Sequence, residues 1–407
     1  MNRREFLHAG IGAGLLNIGT SNVWAVDYAG RQFDKNDASV IYIFLNGGVT
    51  HIETFNPIPE ATQEFRGIHG AVDTNAGYQI GGDLTKLATM GDKMTVVRSF
   101  HHRDANHASA QGWVNTSKLQ IPNQGQNWPS YGSVMSHEYG SNGSDGMPLY
   151  VKTRPITGDD ASFLGVRYAG YDSDAQGVKN LTPNVSSDQF NRRLAIMRSI
   201  DSNSKLGHLG QNWQELKSMA TDIIQGSAGR AFDLNQEPEK YRQMYGETTF
   251  AKDLLLARRV IEGGAKFVTV TTGGFDTHSN MDQQLGRLLP QFDHAVATLI
   301  QDLEDRGMNT LIVITSEFGR TPKLNANNSR DHWPRNNTLV FAGGGYNHGK
   351  VLGKTDKNAS VVTESPYQPK DLGRTLLNHM GIDKLTITDN QGRPRHMIED
   401  GAKNILT

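Results

Sequence analysis

Two runs of this chain end in the same way. "SVIYIFLNGG" (39–48) and "KFVTVTTGG" (266–274) are β-branched, apolar and closed by paired glycines. "NTLIVITSEFG" (309–319), "NTLVFAGGG" (337–345) and "KMTVVRSF" (93–100) follow the same pattern. Short apolar runs of this kind suit strands buried on both faces, as in a sheet whose two sides are covered by helices. The helices are visible too. Leu285, Leu288, Leu289, Phe292, Val296, Leu299, Ile300 and Leu303 recur at helical spacing between two of the strands, and Gly307 sits where a C-terminal cap belongs. "TTFAKDLLLARRVIEGG" (248–264) reads as the helix feeding the strand at 266. Strand, helix, strand is a βαβ unit. The expected fold is α/β, with a mostly parallel central sheet and helices on both faces. One domain over 26–407 is expected, in which the loop-rich, then helical stretch 141–247 is an insertion or cap.

The N-terminus, "MNRREFLHAGIGAGLLNIGTSNVWA", carries Arg3-Arg4 ahead of a short, weakly apolar stretch and a small-residue end at Val23-Trp24-Ala25. That is a twin-arginine export pattern, too short to span a bilayer permanently. Residues 1–25 are read as a signal peptide handled by the twin-arginine machinery, giving an extracytoplasmic or periplasmic chain that starts near Val26. A basic start to a buried helix is the other reading. No later segment is long and apolar enough to be a membrane span. Lys+Arg 41 against Asp+Glu 42 leaves a net charge of -1, which gives no basis for a nucleic-acid or anionic-membrane partner. There are no cysteines, so disulfides, thiolate metal sites and a cysteine nucleophile are excluded. The 407 residues are 36% hydrophobic with 44 glycines, and the mean hydropathy is -0.52, as for a core diluted by long polar loops.

Ligands of such sheets sit in the loops beyond the strands' carboxyl ends. Those loops bring Asn46, Thr50, His51 and Glu53 after the first strand, and Ser99, His101, His102, His107 and Ser109 after the run at 93. Asp276 and His278 follow the strand at 266, and Glu317, Arg320, Arg330, Asp331, His332 and Arg335 follow the one at 309. Six of the 14 histidines fall in these loops. Asp276 and His278, two apart, point to one side of an extended segment, and carboxylate with imidazole suits zinc, manganese or iron. The alternative is that Asp276 caps the next helix. Glu317 and His332 join the candidate ligands, while Asp331 either ligates or orients His332 through its far nitrogen. His51 and Glu53 are either ligands or loop scaffold. Arg320, Arg330 and Arg335 are candidates to grip a phosphate or sulfate, or else one or two of them pair with carboxylates. Thr50, Ser99 and Ser109 are candidate nucleophiles, with direct attack by metal-activated hydroxide as the alternative. The "HHRDANHASAQGW" stretch enters a helix near Ala105 or Asn106, whose N-terminus favours an anion.

"NGGVTHIETFNP", "VVRSFHHRDANH", "AFDLNQEP", "FVTVTTGGFDTH", "EFGRTPK", "RDHWPR", "FAGGG" and "GKTDK" together resemble the exported bacterial family called domain of unknown function 1501, from about residue 38 to the C-terminus. That family is grouped by fold with the alkaline phosphatase and sulfatase superfamily. The resemblance implies an alkaline-phosphatase-like fold and a metal-dependent hydrolase of phosphate or sulfate esters, with a small anionic ester as substrate and zinc or manganese as cofactor. It also implies departures. Asn46 stands in the slot of an aspartate ligand, Glu317 fits a ligand position, and Phe318 follows it where a ligand would stand. Asp276 and His278 resemble an Asp/His ligand pair, and His332 resembles the late histidine. No C/S-x-P-x-R setting for a formylglycine is present. A non-catalytic binding or scaffold protein that keeps the fold is the alternative.

Overall fold

The computed structural model describes residues 38–119, 127–143, 146–173, 185–201, 217, 221, 223–224, 228–383, 385–389 and 391–407. The leader pattern and the cleavage position near Val26 lie outside them. Eight strands form the central sheet: β1 Ser39–Leu45, β2 Met94–Phe100, β3 Tyr150–Lys152, β4 Tyr171–Asp172, β5 Phe267–Thr272, β6 Thr310–Thr315, β7 Asn337–Gly343 and β8 Lys350–Leu352. Their order is β8-β2-β7-β6-β1-β5-β3-β4. β1 lies between β5 and β6 and is parallel to both, with Val40 opposite Phe267 on one side and Leu311 on the other.

β1 is buried along its whole length, and its two faces feed two different cores. Ile41, Ile43 and Leu45 belong to one cluster, Val40, Tyr42 and Phe44 to the other. This is the two-residue alternation of a strand, with apolar side chains on both sides. The helices α1 His107–Thr116, α2 Tyr131–Tyr139 and α5 Pro369–His379 cover one face; α3 Thr249–Glu262 and α4 Met281–Asp305 cover the other. Mixed α/β architecture with a mostly parallel sheet follows from these layers.

Two features depart from expectation. β7 is antiparallel to both β6 and β2, so the connection 316–336 is a long hairpin and needs no crossover helix. Part of the stretch expected as insertion or cap belongs to the sheet itself, because β3 pairs with β5 and β4 with β3. The reversal of β7 matters for function. It places the start of β7, with His332 just before it, at the edge where β1, β2, β5 and β6 end.

Candidate metal centre

Each element that reaches this edge delivers its side chains for a local reason. After β1, Gly47 and Gly48 take positive φ of 118° and 72°. A Cβ on Gly47 would lie 2.5 Å from the Asp276 backbone nitrogen, and one on Gly48 would strike the Phe318 ring. The paired glycines thus let the β1 loop close against the β5 and β6 loops. After β5, Phe275 and Thr277 turn inward and are buried, which leaves Asp276 and His278 on the open side. At α1, the Asn106 side chain accepts from the Ser109 backbone N–H as N-cap, so His107 is the first helical residue. After β6, Gly319–Arg320 pairs antiparallel with His332–Trp333, and His332 stands opposite Arg320. Thr321 N donates to Asp331 O and Asp331 N to Thr321 Oγ1, closing the intervening loop.

Three side chains converge, and His278 stands beside two of them. Ligand atoms of His107, Asp276 and His332 lie within 4.8 Å of one another. His278 Nε2 is 3.0 Å from both Asp276 Oδ1 and His332 Nε2, and His332 Nε2 is 3.2 Å from Asp276 Oδ1. His107 Nε2 is 3.3 Å from Asp276 Oδ2, yet is buried and makes no hydrogen bond. Each imidazole is held at its other nitrogen by a group that only accepts: His107 Nδ1 by Glu317 at 2.7 Å, His278 Nδ1 by Asp331 at 2.7 Å and His332 Nδ1 by Ala105 O at 2.8 Å. The Nδ1 protons are therefore fixed, and three Nε2 lone pairs face a carboxylate. Arg320 approaches this cluster from one side, with Nη2 on Asp276 Oδ1 and Nη1 3.5 Å from His278 Nε2, while the Nε2 atoms of His107 and His332 face the carboxylate. Zinc–nitrogen bonds of about 2.0–2.1 Å in a tetrahedron set donor atoms roughly 3.3 Å apart, close to the spacings here. The donor set fits a divalent transition metal, with zinc or manganese both suited to imidazole and carboxylate.

The charges agree with that geometry. Burial opposes ionisation of Asp276, but the Arg320 guanidinium that donates to it outweighs burial and holds the carboxyl at about 2. Glu317 is fully buried and still held below the usual carboxylate range: burial acts upward, and donors from His107, Ser316 and Gly47 overcome it. The Glu317 hydrogen bond in turn raises His107. Burial lowers His332.

Other expected site residues stand elsewhere or do other work. Arg320 is 0% exposed. Its guanidinium donates to Gly48 O, Gly47 O, Phe275 O and Arg330 O, and at 2.5 Å to Asp276 Oδ1. Nη1 also approaches His278 Nε2 at 3.5 Å, so the guanidinium positions Asp276 and has no N–H to spare for a substrate anion. Arg330 is also 0% exposed; it pairs with Glu53 at 3.2 Å and caps the carbonyls of Thr321, Pro322, Phe65 and Arg66. Glu53 is consumed by that pair and by the Ile68 N–H. His51 is buried, with Nε2 on Ala359 O and Nδ1 accepting from Arg320 N, so neither nitrogen is available to a metal. Glu317 orients His107, and Asp331 orients His278, not His332. Thr50 is buried, Ser99 Oγ donates to Ser365 O, and Ser109 is turned to Asn106. His107 is the candidate ligand that the sequence did not single out. The signal available was its place at the first turn of a helix immediately after a strand-end loop.

Two buried imidazoles make acid stability testable. Burial lowers His51 and His379 from 6.5 to about 4, against the hydrogen bonds they make to Ala359 O and Ser39 O. Between those values the unfolded chain binds more protons than the folded one. The stabilisation is complete above about pH 6.5, declines as pH falls, and is fully lost below about pH 4, at about 3 kcal/mol for each group. Urea midpoints measured across this window should fall, and His379→Asn should flatten the slope. An unchanged slope would show that His379 charges freely in the fold.

Among solved structures, a PsFucS1 sulfatase from Pseudoalteromonas sp. is similar at 13% identity and TM-score 0.41, over 84% of this chain and 68% of that one. A phosphonate monoester hydrolase from Silicibacter pomeroyi matches at 11% identity and TM-score 0.38, covering 84% and 73%. A mutant of TAB5 alkaline phosphatase with magnesium bound matches at 10% identity and TM-score 0.38, covering 84% and 97%. No curated protein matches this chain. A family model described as "Protein of unknown function (DUF1501)" matches residues 37–407, and the chain belongs to that family.

Proposed function

We propose that this chain is an exported, metal-dependent hydrolase of phosphate or sulfate esters. The observation that carries the metal is the convergence of His107, His332 and the Asp276 carboxylate, whose ligand atoms lie within 4.8 Å of one another, with His278 Nε2 beside two of them. His107, Asp276, His278 and His332 would hold zinc or manganese. When bound, the ion supplies Lewis acidity toward an anionic ester oxygen. The chain's own residues do the rest. Glu317, Asp331 and Ala105 O keep the three rings in the ligating tautomer, and Arg320 fixes Asp276. Ser99 Oγ is turned to Ser365 O and Ser109 Oγ to Asn106, and Thr50 is buried, which favours water over these hydroxyls as the attacking group. Arg103, two residues before Ala105, and Arg335, three after His332, are exposed, and each cation lies near a tryptophan ring, Trp113 and Trp333. Of the three arginines expected to grip the anion, Arg335 alone stays exposed, and with Arg103 it forms the proposed grip. The Arg3-Arg4 leader pattern supports export, and no helix among the described residues is long and apolar enough to cross a membrane.

The test is turnover of a panel of phosphate and sulfate esters by protein loaded with zinc or manganese and by chelated protein. Metal-dependent hydrolysis of at least one ester is expected, and no turnover with metal bound removes the hydrolase reading. Asp331→Asn should weaken metal binding roughly 10- to 100-fold, as loss of an orienting partner does. Equal affinity in a competition with a chromogenic chelator would show that His278 needs no such anchor. A binding protein that keeps its metal is the second reading. Phe318 favours it, because its ring lies 5.0 Å from that of His107 and 4.5 Å from that of His332, walling one side of the cluster with an apolar group.

A further inference from the structure

We infer that the centre holds a single metal ion, because the side-chain amide of Gln111 stands where a second cation would stand. This rests on the metal reading above. Beside the imidazole cluster is a second set of donors, made of oxygens. Glu317 is a fully buried carboxylate, and Asn46 Oδ1 is turned toward the same point. A buried carboxylate beside an amide oxygen is a donor pair for a hard cation such as magnesium, calcium or manganese. Here the space between them is filled. Gln111 Nε2 lies 2.7 Å from Asn46 Oδ1 and 3.4 Å from Glu317 Oε1.

The direction of that amide is fixed by its partners. Gln111 Oε1 accepts from Thr157 N at 3.4 Å, and turning the group over would press its oxygen against two others. The side chain is 7% exposed, so no solvent rearrangement relieves such a clash. Glu317 needs no cation beyond this. Its Oε1 also accepts from Gly47 N at 2.9 Å and His107 Nδ1 at 2.7 Å, and its Oε2, at 2.9 Å, shares the one Ser316 Oγ proton with Leu45 O at 2.6 Å. Three N–H donors and a shared hydroxyl meet the buried charge. His107 and Gln111 are one helical turn apart on α1, so the same turn presents a ligand to the imidazole cluster and an amide to the oxygen pair. Phe318, next to Glu317, adds an apolar ring in place of a further donor.

Removing the amide's role should open the second position. Gln111→Glu sets a second carboxylate beside Glu317, and Asn46→Asp does so from the other side; both exchanges nearly preserve shape. Wild type and both variants would be titrated with Mn2+, with bound metal counted by plasma mass spectrometry and the ions examined by electron paramagnetic resonance. The expected result is one Mn2+ per chain in wild type, giving an isolated-ion signal. At least one variant should bind a second equivalent and show the exchange-coupled signal of two neighbouring ions. Asn46→Asp reads out independently if Gln111→Glu does not fold. Two equivalents in the wild type overturn the inference. One equivalent in both folded variants overturns it as well. A wild type that binds no Mn2+ and no zinc defeats the metal reading itself, which separates that failure from this one.

Discussion

Alanine at His107 or at His332 is expected to strip the protein of its transition metal, while alanine at His51 leaves the metal in place. The contrast is what makes the result informative. All three are histidines at the same edge of the sheet. His51 has both ring nitrogens engaged by the protein. His107 and His332 each have one nitrogen anchored and the other directed at Asp276. Loss of a group that merely orients a ligand costs roughly 10- to 100-fold in affinity, and loss of the ligand itself costs more. Dialysis against a chelator at fixed free zinc, followed by metal counting, should show at least a 100-fold weaker site in His107→Ala and His332→Ala. Retention of metal by both variants would mean that the ion sits elsewhere. Retention by His107→Ala alone would reduce the centre to Asp276, His278 and His332.

The layout of the fold was legible because it is written in local pattern. Buried β-branched runs marked β1, β2, β5, β6 and β7, and the helical spacing from Leu285 to Leu303 marked α4. The position of the site was legible too, since ligand-type residues cluster in the loops at strand ends. What the sequence concealed depends on contacts between distant residues. The direction of β7 leaves no trace in its composition, although the lack of a helical pattern over 316–336 argued against a crossover. β3 and β4 are three and two residues long, too short for any periodicity. The arginines were the hardest. A guanidinium in a strand-end loop reads equally as anion grip or as buried strut, and only the fold brings Glu53 to Arg330 across 277 positions. His107 was hidden among His101 and His102. His102 Nε2 is bound to Glu317 O, and nothing local distinguishes such a packed ring from a ligand.

Arg330→Leu should cost about 3–5 kcal/mol of stability, the usual consequence of leaving a buried charge without its partner. The case for the upper part of that range is specific. Glu53 is 1% exposed and would be left with the Ile68 N–H as its hydrogen-bond donor. The carbonyls of Thr321, Pro322, Phe65 and Arg66 would each lose a donor in a place water reaches poorly. Those carbonyls belong to two separate loops, so the guanidinium is what ties the 316–336 hairpin to the segment after β1. Arg330→Lys should recover the charge but not the fork, and fall between the two. A substrate-binding arginine would behave in the opposite way: stability would hold and the Michaelis constant would rise. The two roles also differ in their response to metal. Arg330 O accepts from Arg320, which holds Asp276, so a loosened hairpin weakens the metal site indirectly. Metal binds the folded chain and so stabilises it, by about 2.7 kcal/mol at 100 times its dissociation constant. Adding zinc should therefore raise the urea midpoint of Arg330→Leu, though by less than it raises that of the wild type. An unfolding midpoint unmoved by the substitution would release Arg330 from the scaffold and return it to the substrate.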